Sequence, residues 1–254
     1  MTHIEYNDLI ALAFDSEERR NVTSVHIPDT ATKIEYSAFV NCSALISITI
    51  PPSITEIRGY SFLNCSSLQT LVIPNWVTDI GSCAFNTCSS LEMIDLPNTI
   101  TVIEEGTFLN CSSLHSINIP TPVTEIQDYA FYGCSSLRSI QLPNSITCIG
   151  ESIFMDCTSL TSMILPNEIT RLRSSCFEGC SSLQSITLPT SLESIDEFAF
   201  SHCSSLEFIN LPMSVSRIDR NAFVFCSSLD SITIPDLVVK YTSSHRIHQQ
   251  HHPS

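Results

Sequence analysis

Glycine is scarce here, six residues in 254, so there is little scope for loops that cradle phosphate, and no G-x-x-x-x-G-K-[ST] segment occurs. Basic residues are few as well. Eleven Lys and Arg against 26 Asp and Glu leave a formal charge of −15, which argues against nucleic acid or anionic membrane surfaces as partners, since both need clustered cations. No apolar run approaches the roughly 18 residues of a membrane span, so no membrane insertion is expected. The start, Met1-Thr-His-Ile-Glu-Tyr-Asn-Asp, lacks a basic segment followed by an apolar core. The expected location is therefore cytoplasmic, or the cell surface if the N-terminus is incomplete. G-x-S-x-G and H-E-x-x-H are both absent, so no enzyme is expected and no catalytic residue is assigned. C-x-x-C is also missing, which removes the commonest structural zinc site; no metal or other cofactor is expected.

What is present is a strict period of 23 residues. Proline recurs at Pro28, Pro51, Pro74, Pro97, Pro120, Pro143, Pro166, Pro189, Pro212 and Pro235, and phenylalanine keeps the same step from Phe39 to Phe223. A cysteine stands three residues after each phenylalanine, from Cys42 to Cys226, and a leucine three further on, from Leu45 to Leu229. Nine copies follow one another without insertion. Such a period marks a solenoid, in which one unit cannot enclose its own apolar face and stacked neighbours bury a continuous core.

Within a copy, Leu45-x-x-Ile48-x-Ile50-Pro51 alternates apolar and small polar residues, the period of a strand half buried on one side. Proline has no amide hydrogen for a ladder, so it ends that strand and opens a turn. A second apolar pair, Ile54 and Ile57 in the same copy, also points inward. The expected fold is a β-rich solenoid of 23-residue units with parallel sheet stacking and the phenylalanines piled along its interior. The unit resembles the leucine-rich repeat of the BspA type, whose frame is Cys or Asn, L-x-x-I-x-L-P, an I-x-x-I pair and Ala-Phe; the resemblance covers about residues 22–235. The asparagine of the more general leucine-rich frame is missing, its column reading Ser53, Trp76, Thr99, Pro122, Ser145, Glu168, Ser191 and Ser214. The cysteine column is expected to fill the equivalent buried turn.

The expected organisation is a degenerate N-terminal capping repeat over 1–21, the solenoid over 22–241 and a disordered His/Gln-rich tail over 242–254. In the first segment Tyr6, Leu9, Ala13 and Phe14 mimic the second half of a copy, with two extra residues in Glu17-Glu18-Arg19-Arg20; a helix from about Asp8 to Arg20 is the competing reading. In the tail, His245, His248, His251 and His252 could hold a transition metal only weakly, because a floppy segment loses ordering entropy on binding. Nine of the twelve cysteines share one column with parallel side chains, which suits buried, reduced thiols better than disulfides. Asn21, Asn41, Asn64 and Asn110 lie in glycosylation acceptor patterns that matter only in a secreted chain.

The resemblance implies a ligand surface on the exposed, concave side of the main sheet. Strand alternation puts mostly small polar residues there, so the exceptions carry the information. Phe208 interrupts a serine column, Met213 lies in the same copy with Glu207 and Asn210, and Met93, Trp76 and Ile164 are similar outliers. Exposed aromatic residues and methionines suit interface anchors, although Phe208 packing on a neighbouring turn stays open. The function expected is a non-catalytic scaffold, monomeric, that binds an unidentified protein partner. A surface adhesin is the alternative that the resemblance suggests. An ice- or glycan-binding face is a third, prompted by the threonine column Thr32, Thr55, Thr78, Thr101, Thr124, Thr147 and Thr170.

Overall fold

The computed structural model describes residues 2–6, 15–238, 240–241 and 248–251. The chain is a parallel β-solenoid whose turns repeat at the 23-residue step. Main strands run over Thr70–Val72, Met93–Asp95, Ser116–Asn118, Ser139–Gln141, Ser162–Ile164, Ser185–Thr187 and Ser231–Ile234. Pairing keeps strict register, Leu71 opposite Ile94 and Ile140 opposite Ile117. In each three-residue strand the middle side chain is buried and its neighbours face outward, as a half-buried strand requires. Leu45 to Ile50 and Leu206 to Asn210 run through the same column without forming a ladder, so the strand expected in every copy is missing from these two. A second set of two-residue strands, from Lys33–Ile34 to Lys240–Tyr241, builds the next side from the I-x-x-I segment.

The third side holds the turns together. In the copy around Phe131 the amides of Tyr129, Phe131 and Gly133 donate forward to Glu151, Ile153 and Met155 of the next turn at 2.9, 3.0 and 2.8 Å. The amides between them fold back instead, Tyr132 to the Tyr129 carbonyl and Cys134 to that of Phe131. This alternation needs a left-handed residue twice per copy, at the columns of Ser37 and Asn41. Gly133 takes one such place with φ +70°, where a Cβ would meet Asn110 Oδ1 at 2.3 Å. Tyr129 and Phe198, by contrast, hold φ 59° with bulky side chains, a strain of about 1–3 kcal/mol that the surrounding bonds maintain.

Inside this edge the phenylalanines stack from Phe39 to Phe223, with neighbouring ring centroids 4.8 to 5.8 Å apart. Each cysteine thiol from Cys65 to Cys226 donates to the phenylalanine carbonyl of the preceding turn, as Cys134 Sγ does to Phe108 O at 3.2 Å. A sulfur ladder thus runs through the cysteine column. On the second sheet, Asp196 is 3% exposed and bonds Arg171 and Arg217 at 2.6 Å each, tying three consecutive copies.

The ends differ from expectation. The repeat register runs back past Val22, since Arg19 stands 23 residues before Cys42 and takes its place in the cysteine column. Arg19 is fully buried, and its guanidinium donates to the carbonyls of Ala38 at 2.9 Å and Val40 at 3.2 Å. Glu17–Arg20, where the sequence places two extra residues, forms one helical turn capped by Ser16. Thr2–Glu5 pairs parallel with Val22–His26, and the buried Tyr6 ring closes the stack 5.7 Å from Phe39. Leu9, Ala13 and Phe14 lie outside the described residues, as does most of the competing helix. Of the tail expected to be disordered, His248–His251 forms a strand on Ser231–Ile234, whose ladder groups would otherwise face solvent. His245 and His252 lie outside the described residues.

Replacing Phe131, fully buried between two rings, with alanine is expected to lower the unfolding free energy in urea by about 3–5 kcal/mol. Arg19→Ala is expected to lower it by about 1–3 kcal/mol, because two buried carbonyls lose their donor. A change under about 0.5 kcal/mol in either variant would remove that residue from the account of the core.

Candidate interaction surface

The outward side of the main sheet is laid out by the strand period, and most of its columns carry serine, threonine or amide side chains. Large apolar side chains interrupt it or stand on the turns beside it, as Trp76 and Met213 do. Phe208, Met213 and Met93 are each 57% exposed, Trp76 is 44% exposed and Ile164 71%; Glu207 and Asn210 also face solvent. With more than half of its surface exposed, Phe208 projects outward from a copy that forms no main-sheet ladder.

These residues do not gather at one point. Trp76 shares a cleft of ≈ 450 Å³ with Val72, Ile48, Pro52 and Pro74, and the next copy places Met93 opposite Thr70. Val72, 65% exposed, lines this cleft, and Ile46, 50% exposed, precedes Ser47 at its edge in the chain. Both stood in the outward columns of the sequence, where an aliphatic residue among threonines and glutamines is the signal that selects them. Phe208 and Met213 lie five copies beyond Met93, roughly 24 Å along the axis at the spacing of paired strands. Between them Ile164 borders a second cleft of ≈ 360 Å³ with Leu142, Met163 and Pro166.

Elsewhere the chemistry is structural. Burial pushes the thiols of Cys88, Cys134 and Cys226 up to about 12, so they stay protonated donors. Cys42 is held to about 11, burial raising it and the Arg19 guanidinium opposing. Cys83 and Cys148 alone are half-buried. Among the described residues no three His, Cys, Asp or Glu side chains gather in a way that would hold a metal ion. No described helix is long and apolar enough to cross a membrane. On the second sheet, Glu104 is raised by burial and by the carboxylates of Asp79 and Glu125. The threonine column is no flat ladder of free hydroxyls: Thr55, Thr78, Thr124 and Thr147 donate to the threonine carbonyl of the turn before.

A family model described as BspA type Leucine rich repeat region (6 copies) matches residues 13–138 and 124–245. Among solved structures, the leucine rich repeat protein of T. pallidum is similar at 27% identity over 79% of this chain and 83% of its own, with a TM-score of 0.52. A leucine-rich repeat protein from Bacteroides ovatus is 26% identical over 92% of this chain and 85% of its own, with a TM-score of 0.45. A leucine rich cell surface protein from Faecalibacterium prausnitzii is 28% identical over 89% and 80%, with a TM-score of 0.47. No curated protein matches the chain.

Two measurements follow from the thiol ladder. In the native protein, Cys83 and Cys148 should react with iodoacetamide while the ladder cysteines react only after unfolding. Labelling of ladder cysteines at the native rate would contradict the burial. The thiols also predict a pH dependence: an unfolded chain releases these protons near the usual value of 9.0, the folded one only towards 12. Their contribution is therefore complete below about pH 9 and is lost as the pH rises towards 12. The urea midpoint should hold steady up to about pH 9 and fall beyond it; an unchanged midpoint at pH 11 would count against the ladder.

Proposed function

The chain belongs to the BspA-type leucine-rich repeat family, and from that membership we propose that it is a non-catalytic scaffold binding a protein partner on the exposed face of its main sheet. The supporting observation is the set of large apolar side chains, Met93, Ile164 and Phe208 among the small polar residues of that face and Trp76 and Met213 on the turns beside it, all standing exposed. Such side chains anchor interfaces when they are desolvated by a partner. The sheet is held by backbone bonds at every turn of the phenylalanine edge, so association would order little of this chain's backbone. Glu207 and Asn210 flank Phe208 and supply polar contacts at the rim.

A reducing compartment suits this reading, since twelve cysteines stand free, and the cytoplasm is the proposed location. The adhesin reading would place the same face outside the cell; partner capture and cell-surface biotinylation distinguish the two. The ice-binding reading is disfavoured by threonine hydroxyls already committed to carbonyls and by Lys33, Glu56, Asp79 and Arg171 in the adjacent column.

The test is affinity capture from the native extract with the wild type and with the pair Phe208→Asp and Met213→Asp. Both residues are exposed, so the variant should unfold at the same urea concentration as the wild type. A partner retained by the wild type and weakened at least tenfold by the variant, about 1.4 kcal/mol, supports the face. Equal retention by both would remove Phe208 and Met213 as anchors.

A further inference from the structure

Backbone ladders do not run unbroken along this solenoid. In the main sheet Ser116–Asn118 pairs with Ser139–Gln141, and Ser162–Ile164 with Ser185–Thr187, but no ladder joins Ser139–Gln141 to Ser162–Ile164. The second sheet is divided at the same place: Cys148–Ile149 ends one ladder and Arg171–Leu172 begins the next. Other junctions between described copies are open in at most one of the two sheets. Individual bonds agree. Below the junction Thr147 and Gly150 donate to Thr124 at 2.9 Å and Ile126 at 2.8 Å, and above it Glu193 and Asp196 donate to Thr170 and Leu172 at 2.8 Å each; the equivalent bonds from Thr170 and Arg173 to Thr147 and Ile149 are not formed. A cleft lies on each side, ≈ 360 Å³ beside Gln141 and Ile164 and ≈ 190 Å³ between Cys148 and Arg171.

The third side stays closed. Ser152, Phe154 and Asp156 donate across the junction to Ser174, Cys176 and Glu178 at 2.9, 2.9 and 2.8 Å. Phe154 stacks on Phe177 at 5.4 Å, and Cys180 Sγ donates to Phe154 O at 3.1 Å. Arg171 pairs with Asp196, away from the junction, and no ion pair among the described residues crosses it. One longer bond, Thr161 to the Arg138 carbonyl at 3.4 Å, spans the main-sheet side. We propose that the solenoid is two stiff halves joined here, residues up to 159 and from 160 onward, and that it bends about the phenylalanine and cysteine edge by opening and closing the two clefts. In a stacked array each interface contributes separately to stability, so motion concentrates at the interface with fewest bonds. The bend stands on the bonding alone. Its use rests on the scaffold reading: Trp76 and Met93 lie on one half and Phe208 and Met213 on the other, so bending resets the distance between the two clusters.

The test is electron spin resonance distance measurement on two doubly labelled proteins in a Cys83→Ser, Cys148→Ser background, which leaves only buried native thiols. One pair, Ile46→Cys with Arg138→Cys, lies within the first half. The other, Glu92→Cys with Gln184→Cys, crosses the junction. Both pairs occupy exposed positions in the same column four copies apart, about 19 Å, so label flexibility and length cancel between them. The expected result is a distance distribution about twice as broad for the crossing pair. Equal widths, whether both narrow or both broad, overturn the bend, and neither outcome depends on a partner.

Discussion

Each turn of this molecule has to be bonded to the next along one continuous edge, and that edge is the row of phenylalanines and cysteines. Both sheets are interrupted somewhere along the chain, but on the phenylalanine side the alternating amides reach the following turn in copy after copy. The same edge explains the constant step of 23: a residue gained or lost within a copy would remove a phenylalanine ring, a thiol and three forward amides from register together. It also explains why the edge tolerates strain. Tyr129 and Phe198 sit in a conformation that favours glycine, and their carbonyls accept from the amides of Tyr132 and Ser201.

What such a scaffold presents to a partner follows from where the repetition stops. Buried columns repeat with little change, because stacking demands the same shape in every turn. The outward columns are free of that demand, so Trp76, Met93, Ile164 and Phe208 are departures that the core does not require. The interruption of the main sheet at residues 206–210 coincides with the copy that carries Phe208 and Met213. The two apolar clusters lie on either side of the junction where both sheets open, which couples the shape of the rod to the spacing of its candidate contacts.

The fold was legible from the sequence because four residue columns repeat and each has one physical meaning: proline ends a strand, phenylalanine fills the core, cysteine fits a tight buried turn and leucine closes the next face. The outward outliers were legible by the same alternation. The left-handed columns were not, since Asn41, Asn64, Thr87, Gly133, His202 and Phe225 share a conformation but no chemistry. Arg19 was hidden for the opposite reason: a charged side chain in a cysteine column reads as surface until its guanidinium is seen bonded to the carbonyls at the open end of the stack. Breaks in the ladders leave no trace in the repeat: serine stands at Ser116, Ser139, Ser162 and Ser185 alike, yet only the first two and the last two pair.

The chain is a stack of interchangeable turns held at one edge. The most direct measurement is urea unfolding of a protein from which residues 114–136, one full copy, have been removed, compared with one lacking residues 114–125. Removal of the full copy should leave a folded, cooperative protein whose denaturant slope falls in proportion to the buried surface lost, while removal of 114–125 breaks every column and should leave no cooperative transition. Loss of cooperative folding in both, or its survival in both, would contradict the claim.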